Sequence, residues 1–186
     1  MRHWEGRRRP QDGFTLVELM VVVLIMAILL AIAIPTYLGA RHSADDHAAQ
    51  ASLDNALGTA QGYWNSHQTY SGLTAAGMAA REPNLNFASP STGANSVAFT
   101  PGSGGYSISM SAMSASGTCW YVADVEDTSS AWIGTTGIPH PRTYYGSTPG
   151  ASSCASLANG QTPQSGWLSS FYGSKVSGTA PTYPVP

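Results

Sequence analysis

The chain has 186 residues, which is enough for one compact domain and a terminal segment. Only 10% of the residues are charged, against roughly 25% in an ordinary soluble domain, and the net charge at neutral pH is −2. Because a nucleic-acid-binding domain needs a basic surface, this balance predicts no direct nucleic-acid site.

The first apolar segment covers residues 14–34 and is interrupted only by Thr15 and Glu18. As a helix rising 1.5 Å per residue it spans roughly 30 Å, the thickness of a bilayer core. A lone carboxylate near hydrocarbon costs several kcal/mol, so Glu18 requires a physical explanation.

The polar residues 1–13 precede this run and end in Gly13. Arginine occupies four of these positions, namely Arg2, Arg7, Arg8 and Arg9. By the positive-inside rule the arginines stay in the cytoplasm and the rest of the chain is sent outward. A secretory signal has a shorter apolar region followed by small residues, whereas the small-residue junction here lies before the run, at Gly13–Phe14.

Beyond Pro35 the pattern becomes amphipathic. One stripe has apolar side chains at helical spacing, at Leu53, Leu57, Ala60 and Trp64. Its predicted extension towards the N-terminus comprises Leu38, Ala44, Ala48 and Ala51, with a polar side at Asp45, Asp46, His47, Gln50 and Asp54. We therefore predict one helix from about Phe14 to about Trp64. Pro35 should kink it, because the ring removes one backbone hydrogen bond.

From Ser66 the composition shifts to Ser, Thr, Gly and Pro. Strand-like runs occur at residues 97–100, 106–113, 119–125 and 131–134. Apolar residues alternate with small polar ones in several of them, which predicts an antiparallel sheet with one covered face packed against the amphipathic half of the helix. The Ser-, Gly- and Pro-rich tail from Gly146 is predicted to be a loop.

The chain has two cysteines, Cys119 and Cys154. They have no CxxC spacing and no nearby histidine pair, so they do not indicate zinc. If the domain lies outside the cytoplasm, a disulfide is the natural interpretation, and closing a loop of this size stabilises a fold by roughly 3–4 kcal/mol. Two unpaired, partly buried thiols are the alternative.

The stretch "GFTLVELMVVVLIMAILLAIAIP" closely resembles the N-terminus of type IV prepilins and of the pseudopilins of type II secretion. The shared features are Gly13 before Phe14, then Thr15, Glu18 at the fifth position of the mature chain, the apolar run and Pro35. The resemblance covers Gly13 to about Tyr37 and continues loosely through the helix.

This resemblance implies an α+β lollipop, in which a long N-terminal helix carries a small antiparallel sheet head. It implies a leader at 1–13, a transmembrane or filament-core helix at 14–35, the amphipathic half at 36–65 and a β-rich head with a C-terminal disulfide loop at 66–186. A prepilin peptidase would cut after Gly13 and methylate the new amino group of Phe14. The other implied partners are copies of the same subunit, an assembly platform in the inner membrane, and the membrane itself before assembly.

A filament built by bundling such helices gives Glu18 a role. The new ammonium group of Phe14 is buried there and needs a partner, because an unpaired buried charge is very costly. Glu18 of a neighbouring subunit would supply that partner and fix the displacement between subunits, as a polar residue fixes register in a coiled coil. A charge that is merely tolerated near the edge of the span is the alternative. Pro35 lies at the helix-breaking position of the family, whereas Ala27, a strong helix former, stands where the family commonly has glycine.

The sequence carries no enzymatic motif, since GxSxG, P-loop, HExxH and GxGxxG patterns are absent, and no cofactor is predicted. Asp124, Glu126 and Asp127 lie close together after a predicted strand and form a weak calcium candidate, because carboxylates in a loop can hold calcium. A solvated acidic turn is the ordinary alternative.

The sequence is compatible with three different functions. The first is the subunit of a type IV pilus, supporting adhesion, motility or DNA uptake, with the precursor in the inner membrane and the mature chain in a surface filament. The second is a pseudopilin of type II secretion, and the third is a membrane-anchored enzyme or sensor with an uncleaved helix. The charge-poor, Ser/Thr/Gly-rich head and its cysteine pair favour the pilus.

Overall fold

The structure is a computed structural model that describes residues 13–102, 104–126, 142–157, 161, 163–165 and 167–172. The chain divides into two compact units, Met1–Ala40 and Arg41–Pro186. Helix α1, Leu16–His67, begins in the first unit and ends in the second.

Within the first unit α1 is apolar and its side chains are exposed. The backbone stays helical through Pro35. The predicted kink at this proline remains a prediction. At its other end α1 stops where Gln68 adopts a positive φ of 55° and its N–H donates to the Trp64 carbonyl oxygen at 2.7 Å. This left-handed turn is a common way to end a helix.

The buried stripe of α1 in the second unit includes Leu53, Leu57 and Ala60, as predicted. Trp64 packs against the same core and is partly buried. The predicted extension was wrong, because its four residues, Leu38, Ala44, Ala48 and Ala51, are all exposed. The stripe continues instead through Ala49 and Ala56, four residues before and three residues after Leu53, which keeps to the helical period.

Gln50, predicted for the polar side, is also buried. Its side-chain amide donates to the hydroxyl of Tyr172 at 3.1 Å, and its Oε1 lies 3.2 Å from Nδ1 of His47. A buried amide is tolerated when its hydrogen bonds are made, which explains why this residue lies inside.

The second unit also contains helix α2, Ala75–Arg81, and a five-stranded sheet in chain order. The strands are β1 Asn86–Phe87, β2 Ser96–Pro101, β3 Ser107–Met113, β4 Cys119–Val125 and β5 Arg142–Thr148. Strands β2 to β5 are antiparallel neighbours, whereas β1 pairs parallel with β2. The predicted α+β fold, with a long N-terminal helix followed by a small sheet, is therefore confirmed, and the sheet is mixed at the short edge strand β1.

Three predicted strands match β2, β3 and β4 closely, and the predicted run at 131–134 lies outside the described residues. One face of the sheet shares the core of α1 through apolar side chains, namely Val97, Ile108, Met110, Ala112, Trp120 and Val122. The other face was predicted to be open but is covered too. Its serines are buried, and Ser109 and Ser111 hydrogen-bond the backbone of Leu157 and Cys154.

Gly105 holds the loop after α1 against the loop before β3. Its carbonyl oxygen accepts the N–H of Tyr70 at 2.7 Å, and its φ is +77°. A methyl group added at Gly105 would collide with the hydroxyl oxygens of Thr69 and Ser71.

Gly105→Ala should therefore lower the free energy of unfolding by about 1–3 kcal/mol, because both backbone strain and overpacking oppose the new methyl group. Denaturant titration of the full chain in detergent measures this. Gly93→Ala is the matched control, since nothing lies within 4 Å of its added methyl group. Equal unfolding midpoints for the two variants would show that the Gly105 loop does not need glycine.

Candidate assembly site and buried acidic group

The N-terminal end of α1 is held by a reciprocal set of hydrogen bonds. The N–H and hydroxyl of Thr15 donate to Oε2 of Glu18 at 3.1 and 3.0 Å, and the N–H of Glu18 donates to the Thr15 hydroxyl oxygen at 3.2 Å. This is a capping box, which satisfies backbone N–H groups that a helix start otherwise leaves unpaired. The T-x-x-E spacing signals such a box, although Glu18 was predicted from the sequence only to pair with a neighbouring subunit.

The capping box leaves part of the carboxylate available. Among the described residues only Oε2 of Glu18 accepts hydrogen bonds, all from Thr15. The box therefore fixes the side chain at the helix start. Glu18 also places a negative charge in the first turn, where the helix dipole favours it.

The residues next to this cap are open to the surroundings. The side chain of Phe14 is 91% exposed, and nothing lies within 4 Å of the position that a methyl group on Gly13 would take. The apolar side chains behind them are exposed as well, and α1 is long and apolar enough to cross a membrane. An apolar helix surface of this extent is stable only in lipid or against other helices.

Cys119 and Cys154 form the predicted disulfide, with their Cα atoms 5.4 Å apart. The alternative of two unpaired thiols was therefore wrong. Both residues are fully buried on the sheet face that also holds Tyr144 and Trp167. The carbonyl oxygen of Cys154 accepts the N–H of Ser91 at 2.8 Å, so the bridge joins β4, the segment after β5 and the loop before β2.

Asp124 is a buried carboxylate, 3% exposed, at the centre of a hydrogen-bonded group. Oδ2 accepts from the Tyr70 hydroxyl at 2.8 Å and from Nε2 of Gln61 at 3.3 Å, while Oδ1 accepts from the Thr143 hydroxyl at 2.8 Å. These neutral donors tie α1, the loop after it and β5 to β4. Burial of the phenol and the adjacent Asp124 charge raise the pKa of Tyr70.

Of the three residues proposed for calcium, the structure places Asp124 inside the sheet and half-buries Glu126, and Asp127 lies outside the described residues. No group of three potential metal ligands occurs among the residues that the structure describes. Calcium binding by this triplet thus remains a prediction. The solvated acidic turn does not describe Asp124, whose oxygens are committed to protein donors.

Glu126 gives the protein a pH-dependent element. Burial raises the pKa of its carboxyl group above 4.5, and the charge of Asp124 and a hydrogen bond to it act in the same direction. The folded state therefore keeps a proton that the unfolded state releases. The free energy of unfolding should therefore fall as the pH rises from about 4.5 through the raised pKa of the folded state, and solvent screening of this half-exposed group keeps the change small.

Glu126→Gln removes the titrating group and should flatten this part of the stability curve. Denaturant titrations of both proteins between pH 4.5 and 7 measure the difference. Partial desolvation by neighbouring groups also raises the pKa of Asp54, which is otherwise exposed, so the variant retains a shallower slope of the same sign. Parallel curves for the variant and the wild type would show that Glu126 is not the source.

Comparison with known proteins places these features in a family. Residues 8–34 match the prokaryotic N-terminal methylation motif. The chain is 34% identical over 119 residues to the type IV wide pilus major component PilA4 of Thermus thermophilus, covering 62% of this chain and 82% of that protein. It is 41% identical over 54 residues to the type II secretion system core protein G of Aeromonas hydrophila, covering 27% of this chain and 38% of that protein. No solved structure matches the chain significantly.

The class defined by the fold and the N-terminus is that of filament subunits that carry the prokaryotic N-terminal methylation motif. The chain belongs to the family of type IV pilins and type II secretion pseudopilins. Proteins of this family are structural subunits, and the membership implies assembly with copies of the same subunit.

Proposed function

We propose that this chain is the structural subunit of a type IV pilus, matured by cleavage between Gly13 and Phe14 and N-methylation of Phe14. The observation that carries the proposal is the exposed apolar surface of α1 beginning at the Thr15–Glu18 cap, on a chain that covers 82% of a wide-pilus component. Burying this surface against other helices replaces lipid contacts by protein contacts, and it needs no further ligand.

Cleavage creates a new ammonium group at Phe14, next to the capped carboxylate. In the proposed filament this ammonium meets Glu18 of a neighbouring subunit. The capping box holds that carboxylate through Oε2 and leaves Oε1 for the incoming charge. A matched ion pair is tolerated inside a helix bundle. If one subunit were displaced along its neighbour by a different distance, the ammonium and the carboxylate would both stay unpaired, so the pair selects one register.

The proposed route begins in the inner membrane, with residues 1–13 cytoplasmic and the second unit outside. A prepilin peptidase removes the leader, and an assembly platform moves the subunit from lipid into a surface filament. The buried disulfide supports an extracytoplasmic head, because such bonds persist in oxidising compartments. No catalytic role is proposed, and adhesion, motility or DNA uptake would be properties of the filament.

A pseudopilin of type II secretion is the second candidate, favoured by the similarity to a core protein G over 54 residues. Immunogold electron microscopy with an antibody against the head separates the two. Label along the whole length of surface filaments supports a pilin. Processed protein in the membrane of cells without labelled filaments supports a pseudopilin or a minor pilus subunit.

Gly13→Val should block maturation, because a branched side chain before the cleaved bond would obstruct the proposed peptidase. We expect the unprocessed chain to accumulate in the membrane and the shorter mature form to be lost, as measured by immunoblot. Gly39→Val is the control, since its position is also free of neighbours within 4 Å but lies away from the cleaved bond. Normal maturation of Gly13→Val would contradict the assigned cleavage position.

A further inference from the structure

The outer edge of β5 is covered by the segment near the C-terminus. The N–H of Tyr145 donates to the Leu168 carbonyl oxygen at 3.0 Å, and the N–H of Leu168 donates to the Tyr145 carbonyl oxygen at 2.7 Å. The N–H of Ser165 donates to the Ser147 carbonyl oxygen at 3.0 Å, and the Ser147 N–H donates to the hydroxyl oxygen of Ser165 at 2.9 Å. The backbone groups of Tyr145 and Ser147 that point away from β4 are thus occupied.

The same segment then crosses to the face of the sheet that packs on α1. The ring of Phe171 lies 4.6 Å from that of Tyr145 and 5.7 Å from that of Trp120, in edge-to-face geometry. Tyr172 contacts Trp120 with a ring distance of 5.8 Å. Aromatic pairs in this geometry contribute beyond the area that they bury.

The last contacts of the segment are with α1 itself. The Tyr172 hydroxyl accepts from Nε2 of Gln50 at 3.1 Å, and its ring lies 5.9 Å from that of His47. Tyr172 is nevertheless 67% exposed, so it fastens the segment from outside without being part of the core. A segment that is held by a few exposed contacts opens locally at a lower free energy than the core of the domain.

We propose that residues 163–165 and 167–172 form a C-terminal strap that closes the edge of β5 against pairing with a second chain, and that Tyr172 anchors this strap on α1. An uncovered edge strand presents a row of unpaired N–H and C=O groups, which is a template for intermolecular strand pairing. The strap removes that template, so the sheet of one subunit does not add to the sheet of another. This inference is independent of the proposed pilus function.

Amide hydrogen exchange of the full chain in detergent tests the strap. Tyr172→Ala should accelerate exchange of the Tyr145, Ser147 and Leu168 amides by about tenfold, because local opening then costs less. Amides of the central strand β3 should exchange as in the wild type. Tyr172→Phe keeps the ring and loses the hydroxyl, and should give an intermediate acceleration.

Tyr106→Ala is the matched control, because Tyr106 is also exposed, at 47%, and makes an edge-to-face contact with Trp64 away from the strap. It should leave exchange at β5 unchanged. Wild-type exchange at Tyr145 and Ser147 in Tyr172→Ala would overturn the proposal. Equal acceleration in β3 and β5 would overturn it as well, since Tyr172 would then stabilise the whole head and not the strap.

Discussion

Replacing Glu18 by alanine should abolish filament formation while cleavage after Gly13 continues. The variant leaves the proposed Phe14 ammonium without its partner inside the helix bundle. Breaking a buried ion pair on one side costs about 3–5 kcal/mol, equivalent to at least a hundredfold loss in the assembly constant per contact. Immunoblots of sheared surface filaments and of the membrane fraction measure assembly and maturation separately.

Glu18→Gln distinguishes the two roles of this side chain. Glutamine at this position of a capping box still reaches back to the helix start, so the hydrogen bonds with Thr15 are kept while the charge is lost. If charge pairing governs assembly, the glutamine variant fails as completely as the alanine variant. If capping governs it, filaments return in the glutamine variant, and the charge pair does not set the register between subunits.

A second control addresses general loss of a carboxylate. Glu82→Gln changes a glutamate at the end of α2, far along the chain from the helix start. It should give the wild-type quantity of filaments. Wild-type filament yield from Glu18→Ala would count directly against a role for this residue in assembly.

Removing the disulfide should produce the largest loss of stability. Replacing both Cys119 and Cys154 by alanine should lower the free energy of unfolding by about 3–4 kcal/mol, because the unfolded chain regains the entropy of a loop closed over a separation of 35 residues. Globular domains are stabilised by only about 5–15 kcal/mol in total, so this is a large share.

The segment after β5 is the part of the head that the disulfide attaches to the sheet, so we expect it to lose stability when the bond is removed. Cys154 brings the segment after β5 onto the sheet face, where its carbonyl oxygen accepts from Ser91 and Ser111. Denaturant titration of the full chain in detergent, with and without reductant, measures the effect. The reduced wild type and the double alanine variant should unfold at similar denaturant concentrations. A wild-type midpoint unchanged by reduction would show that packing alone holds this segment.

The long helix and the three central strands could be predicted because their patterns are local. The apolar run and the 3.6-residue stripe define α1, and alternation defines β2, β3 and β4. The strand β5 was missed because Gly146 and the surrounding Ser- and Pro-rich composition resemble a loop. Its strand conformation depends on pairing with β4 and with the segment at Ser165 and Leu168, which no local pattern shows.

The candidate sites show the same contrast between features with a local sequence pattern and features that depend on long-range contacts. Gly13, Phe14 and Glu18 were identified from a contiguous motif, and the cysteine pair from composition. Asp124 was predicted as a calcium candidate, with a solvated acidic turn as the alternative, yet its partners Tyr70 and Gln61 lie 54 and 63 residues away in sequence. Long-range contacts of this kind decide whether a carboxylate is buried, and they cannot be predicted from the pattern of a single sequence.

The most direct test of the account is the intact mass of this chain in sheared surface filaments. We predict the mass of a chain that begins at N-methylated Phe14 and has Cys119 and Cys154 joined in a disulfide. Filaments that lack the chain, together with a membrane-bound form that retains residues 1–13, would contradict it.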